Sequence, residues 1–155
     1  MSYIIQKINE LGLELPIAPR PVASYIPAIR TGNLIFTSGI LPMLDGKVIY
    51  TKEIGGFLNS VDRGYEAAKL CALNALSVIN DIIGLDNVER IIKVTGYVNS
   101  APSFNDQPKV INGASDLLVS IFGDNGKHVR SAVGVNELPL LASVELELIV
   151  QVKST

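Results

Sequence analysis

Between Ser60 and Gly84 the chain carries a pattern that no strand can satisfy. Tyr65, Ala68, Ala72, Ala75, Leu76, Ile79 and Ile83 recur at the spacing that returns side chains to one face of an α-helix. Ser60 or Asp62 is placed to cap the start and Gly84 to end it. A helix of this length with one apolar face must be buried against something else. The flanking sequence offers mainly β-type runs for that purpose.

A second helical pattern occupies roughly Gln107 to Phe122, with Val110, Ala114, Leu117, Leu118 and Ile121 facing inward and Gly123 as terminator. Ile4, Ile5, Ile8 and Leu11 mark a short helix over residues 3–12, which Gly12 ends. The segment LPIAPRPVAS has three prolines, so it can be neither helix interior nor central strand and reads as an extended connector.

Strands are expected at Tyr25–Ile29 and Leu34–Ser38, joined by a tight turn at Thr31-Gly32-Asn33. Leu44 to Asn59, punctuated by Asp45-Gly46 and Gly55-Gly56, is mostly loop with a short strand at Lys47 to Tyr50. Val88 to Asn99 is strand-like through Ile92, Val94, Gly96 and Val98. Lys127 to Glu147 reads as a β-hairpin turning around Asn136, Glu137 and Pro139, with Val144, Leu146, Leu148 and Val150 alternating against Glu145, Glu147 and Gln151.

The resulting order, β-β-(β)-α-β-α-β-β, predicts an α+β fold: a roughly six-stranded sheet with two long helices on one face. Residues 1–155 are expected to form a single domain, with 1–20 a helical and proline-rich extension. The second sheet face then needs a cover, which predicts self-association.

Composition points the same way. The chain is 48% hydrophobic and only 18% charged, and its mean hydropathy is +0.35. No run approaches the ~20 apolar residues of a membrane span. Burial between subunits accounts for the excess apolar surface better than a membrane does. Thirteen basic and 15 acidic residues give a net charge of -2 without a basic patch, which argues against nucleic acid as partner. The start, MSYIIQKINELG, lacks the pattern of a secretory signal, and the single Cys71 excludes an intramolecular disulfide; both suit a cytoplasmic protein.

The common chemical signatures are missing: there is no glycine-rich phosphate loop, HExxH or GxSxG. One His and one Cys give no basis for a metal site, and no cofactor is expected. Arg130 stands out in an apolar strand. It is either a structural ion-pair partner or the anchor of an acidic small molecule, since guanidinium grips a carboxylate through two parallel hydrogen bonds. Glu145 and Glu147 lie on the polar face of the last strand. His128 reads as a surface histidine or a general base, Cys71 as a small core residue, Asn112 as a turn residue of the second helix or a ligand contact, and Tyr25 as a strand aromatic. Thr37-Ser38-Gly39 ends a buried strand with a hydroxyl and a backbone that can come close to a ligand.

Taken together, GNLIFTSGILP, KVTGYVNS with VINGASDLLVSIFG, and HVRSAVGVNELPLLASVELE resemble the Rid superfamily of reactive-intermediate deaminases, the YjgF-type proteins. The resemblance runs in order from about Pro21 to Val152. It implies a chorismate-mutase-like subunit in a homotrimer, with clefts between neighbouring subunits. It further implies hydrolysis of an enamine or imine such as 2-aminoacrylate to a 2-keto acid and ammonia. Arg130 matches the residue that binds the substrate carboxylate, and Glu145 the one associated with the attacking water. Tyr25, Ser38, Gly39, Asn112 and Ala132 match substrate-binding positions. Ile40, Ala132 and Gly134 replace a Gln, a Cys and an acid found in many members, which makes the implied cleft less polar. The alternative is a non-catalytic trimer that binds a small carboxylate as a regulator.

Overall fold

The computed structural model describes residues 1–21 and 23–154; Val22, within the proline connector, and Thr155 lie outside them. Among the described residues seven strands and three α-helices follow one another as α1 (Tyr3–Glu10), β1 (Ala28–Thr31), β2 (Leu34–Thr37), β3 (Met43–Leu44), β4 (Lys47–Val48), α2 (Val61–Ile83), β5 (Val88–Asn99), α3 (Gln107–Phe122), β6 (Val129–Val135) and β7 (Val144–Val152). The main sheet has five strands in the order β1-β2-β7-β5-β6, and β3-β4 form a separate two-stranded piece. The expected single six-stranded sheet is therefore corrected to five plus two. Asp45-Gly46 turns β3 back on β4 too early for either strand to reach the main sheet.

α2 begins at Ser60, whose hydroxyl accepts from the Arg63 amide, and stops at Gly84. Its inner face meets β7 and α3 in one continuous core that includes Leu76, Ile79, Ile111, Leu118, Leu146 and Leu148. Two glycines set how closely the helices approach. A Cβ on Gly113 would lie 2.8 Å from the Tyr65 carbonyl carbon, and one on Gly64 would lie 3.0 Å from Val110. Asn74, buried in α2, donates to the Leu41 and Met43 carbonyls and ties the β3 region to the helix.

The proline segment is not an idle tail. Ile4 and Ile8 of α1 belong to the core, and the Ser77 hydroxyl donates to the Pro16 carbonyl. Asp86 accepts from the Ser2 hydroxyl and from the Tyr3 and Ile4 amides, closing the start of α1. Those backbone donors hold its carboxyl below the ordinary aspartate range.

Two local expectations shift. β1 starts at Ala28, because Pro27 has no N–H to place in a ladder, so Tyr25 and Ile26 lie before the strand. In β5 the fully buried residue is Ile91 rather than Ile92, since the β5–β7 register slips between Ile91 and Lys93.

The largest difference concerns Lys127 to Glu147. β6 and β7 do not pair with each other: β5 lies between them, parallel to β6 and antiparallel to β7. The connection β5-α3-β6 is a crossover through a helix, as parallel neighbours require. Alternation within each strand was legible, but pairing depends on where α3 delivers the chain.

Candidate functional site

Strand register divides the residues of interest between the two sheet faces. Glu145 pairs with Tyr97, and Tyr97 with Val133; all three share the face away from the helices. Arg130 pairs with Val94, and Val94 with Leu148, on the helix side. Within one chain, Arg130 and Glu145 thus point in opposite directions.

The first group gathers around the end of β2. Ser38 pins the connector through its amide, which donates to the Pro27 carbonyl at 2.8 Å, and its hydroxyl, which donates to the Ile26 carbonyl at 2.6 Å. Tyr25, Ser38, Gly39 and Ile40 line a small cleft of about 30 Å³ with Pro19, Arg20, Pro21 and Met43. Gly39 leaves room for its neighbour: a Cβ there would fall 2.8 Å from Glu145 Cδ and displace the carboxylate. Glu145 is half-buried. Burial first, and the Glu147 charge second, push its carboxyl above the ordinary glutamate range. Glu147 accepts from the Tyr97 hydroxyl at 3.2 Å, and Tyr97 is itself raised by burial and by that carboxylate.

The second group lies at the β6 edge against α3. Arg130 Nη1 donates to Asn112 Oδ1 at 2.9 Å and to Ser115 Oγ at 3.1 Å, and Nη2 donates to the Pro108 carbonyl at 3.1 Å. All three acceptors are neutral, and among the described residues Arg130 makes no salt bridge. A guanidinium has five N–H donors, so two are left without a partner among these residues. The reading of Arg130 as an ion-pair partner thus finds no carboxylate among the described residues. Ala132 follows on the same side of β6 and packs against the core. At Gly134 a Cβ would meet Gln107 Nε2 at 2.7 Å and Ser100 Oγ at 2.9 Å, so the Gln107 amide occupies the space a side chain there would need.

Cys71 is fully buried and its thiol is pushed well up by burial, which makes it a core residue. No group of three or more His, Cys, Asp or Glu able to hold a metal occurs among the described residues. Sequence reasoning missed Ser115. The signal was its spacing: it lies three residues after Asn112, on the same helix face. Among the described residues no helix is long and apolar enough to cross a membrane.

A family model described as "YjgF/chorismate mutase-like, putative endoribonuclease" matches residues 6–151. The chain belongs to this YjgF, or Rid, superfamily. It is 39% identical to the Trypanosoma cruzi protein TCP17 over 97% of this chain and 95% of the relative. It is 27% identical to the 2-iminobutanoate/2-iminopropanoate deaminase of Dermatophagoides farinae, over 91% of this chain and 95% of that one. A solved structure from Agrobacterium tumefaciens, of a protein with unknown function, superposes with a TM-score of 0.90 at 41% identity, covering 97% of this chain and 92% of that one.

Proposed function

We propose that the protein hydrolyses short-lived 2-imino or enamine acids to 2-keto acids and ammonia, in a homotrimer whose sites are shared between subunits. The observation that carries this reading is Arg130: a cation clamped by three neutral acceptors, with donors to spare and no carboxylate of its own. The deaminase among the relatives supports the chemistry. Sharing follows from the faces of the sheet. For one substrate to meet both Arg130 and Glu145, two copies must each contribute one of them. The helix-free face, with Ile29, Phe36, Val129 and Val133 exposed, is the surface such copies would cover.

In this scheme Arg130 of one copy grips the substrate carboxylate, with Asn112 and Ala132 beside it. Tyr25, Ser38, Gly39 and Glu145 of the next copy close the site. A protonated imine is already electrophilic, so the site needs to orient it and supply one activated water. Glu145 takes a proton from that water as its oxygen adds to the imine carbon. It then returns the proton to the nitrogen, and the C–N bond breaks as the C=O forms and Glu145 takes up the hydroxyl proton, which passes to the departing ammonia as ammonium. A carboxyl raised toward neutrality suits these transfers.

The test is a coupled assay in which a dehydratase releases 2-aminoacrylate or 2-iminobutanoate and keto-acid formation is followed. The protein should accelerate it; no acceleration sinks the reading. Thermal stabilisation by 2-oxobutanoate without turnover would instead establish the regulatory alternative, which the apolar Ile40 and the filled space at Gly134 favour.

Glu145→Gln should lose turnover and gain stability together. A carboxyl whose folded pKa is raised contributes stability below its unfolded pKa, about 4.3, and loses it as pH rises through the folded value. At pH 7 wild type carries that loss and the Gln variant does not. Its melting temperature should therefore exceed wild type at pH 7, with the gap closing toward pH 4; an unchanged gap would refute the assignment.

A further inference from the structure

Behind Arg130 runs a chain of polar groups that the reaction scheme does not use. Ser115 Oγ lies 2.8 Å from His128 Nε2, and His128 Nδ1 lies 2.6 Å from the Gly126 carbonyl oxygen. Gly126 closes the 3₁₀ turn after α3, and its place is tight: a Cβ there would stand 2.8 Å from the Leu118 carbonyl carbon. One end of the chain is therefore fixed backbone, and the other is the guanidinium.

The direction of every hydrogen bond in this chain follows from what each end can do. A guanidinium only donates, so Ser115 Oγ accepts from Arg130. A carbonyl only accepts, so His128 Nδ1 carries a proton and gives it to Gly126. With the ring neutral, Nε2 is bare and takes the remaining hydrogen of Ser115. We infer that His128, through Ser115, is a positioning residue for Arg130: as the neutral Nδ1–H tautomer it holds the serine hydroxyl turned so that its lone pairs face the guanidinium.

Without the imidazole acceptor the hydroxyl can rotate and offer its hydrogen toward Nη1, which is repulsive. Arg130 would keep Asn112 and Pro108 but lose one of three restraints on its plane. A bidentate grip on a carboxylate depends on that plane. The effect should therefore appear in substrate affinity and much less in the chemical step. This inference rests on the reading of Arg130 as carboxylate anchor.

The chain has a single histidine, so its ring nitrogens can be assigned without ambiguity in a nitrogen-15 NMR spectrum. The expected spectrum shows Nδ1 protonated and Nε2 bare near pH 8, with the Nε2 resonance moving when 2-oxobutanoate is titrated in. By calorimetry, His128→Leu and Ser115→Ala should each weaken 2-oxobutanoate binding about fivefold, the scale of one neutral hydrogen bond. The double variant should be no worse than either single, because the two groups act as one unit. His128→Gln, whose amide oxygen can accept from Ser115, should recover most of the affinity. In the imine assay KM should rise while kcat stays near wild type. An Nε2-protonated ring, or undiminished binding in folded His128→Leu, overturns the inference. A failure of the unaltered protein to bind 2-oxobutanoate at all sinks the carboxylate reading itself.

Discussion

Replacing Arg130 with Gln should leave a folded protein with almost no deaminase activity. Hydrogen bonds to a charged partner contribute about 1.5–3 kcal/mol each, so losing a bidentate grip lowers kcat/KM by roughly 10²–10⁴-fold. Stability should change little, because Asn112 and Ser115 are half-buried and Pro108 is exposed, so water can replace the lost donors. Lys is no substitute, since an ammonium lacks the planar fork. The same variant tests how the site is assembled. Arg130→Gln and Glu145→Gln are each expected to be inactive alone. Unfolded together at equal ratio and refolded, they should regain activity, because a trimer holding both kinds has one interface that joins an intact Arg130 to an intact Glu145. Random mixing restores roughly a quarter of the sites for a cyclic trimer. Full retention of activity in Arg130→Gln would refute its role, and failure of the mixture to recover would refute a shared site.

Gly113→Ala should be the most damaging small substitution in the fold. Alanine favours a helix over glycine by about 1 kcal/mol, so propensity alone predicts stabilisation. Packing decides the opposite. The added Cβ would stand 2.8 Å from the Tyr65 carbonyl carbon and closer still to its oxygen, and a helix backbone cannot step aside as a side chain can. The α2–α3 contact must open, at a net cost of about 3 kcal/mol, or roughly 10 °C in melting temperature for a chain of this size. Gly64→Ala is the control. Its Cβ would meet only side-chain atoms, of Val110 at 3.0 Å and of Ile54 at 3.3 Å, so the helix gain and the small readjustment should nearly cancel. Equal melting temperatures for the two variants would show that the close crossing does not limit stability.

The helices were readable because their information is local. Ser60, Gly84 and the apolar stripe between them mark α2 from Val61 to Ile83, and Gly123 ends α3 where its periodicity stops. Caps and a 3.6-residue period act within a few turns of chain. β5 was bounded at Val88–Asn99 for the same reason, although a bulge exchanged Ile91 for Ile92 in the core. The candidate site residues were singled out through motif resemblance, and the core role of Cys71 was legible through its apolar helix.

What the sequence by itself determined is therefore the helices, most of the strands, the α+β class and the family, since these follow from local pattern and ordered motifs. Only the tertiary structure decided that β5 separates β6 from β7, and hence that Arg130 and Glu145 face opposite sides of the sheet. It alone joined His128 and Ser115 to Arg130, which come together because α3 packs against β6. Alternation states which residues share a face of one strand, but strand order depends on the path of the intervening helix over the core, and no local signal encodes that path.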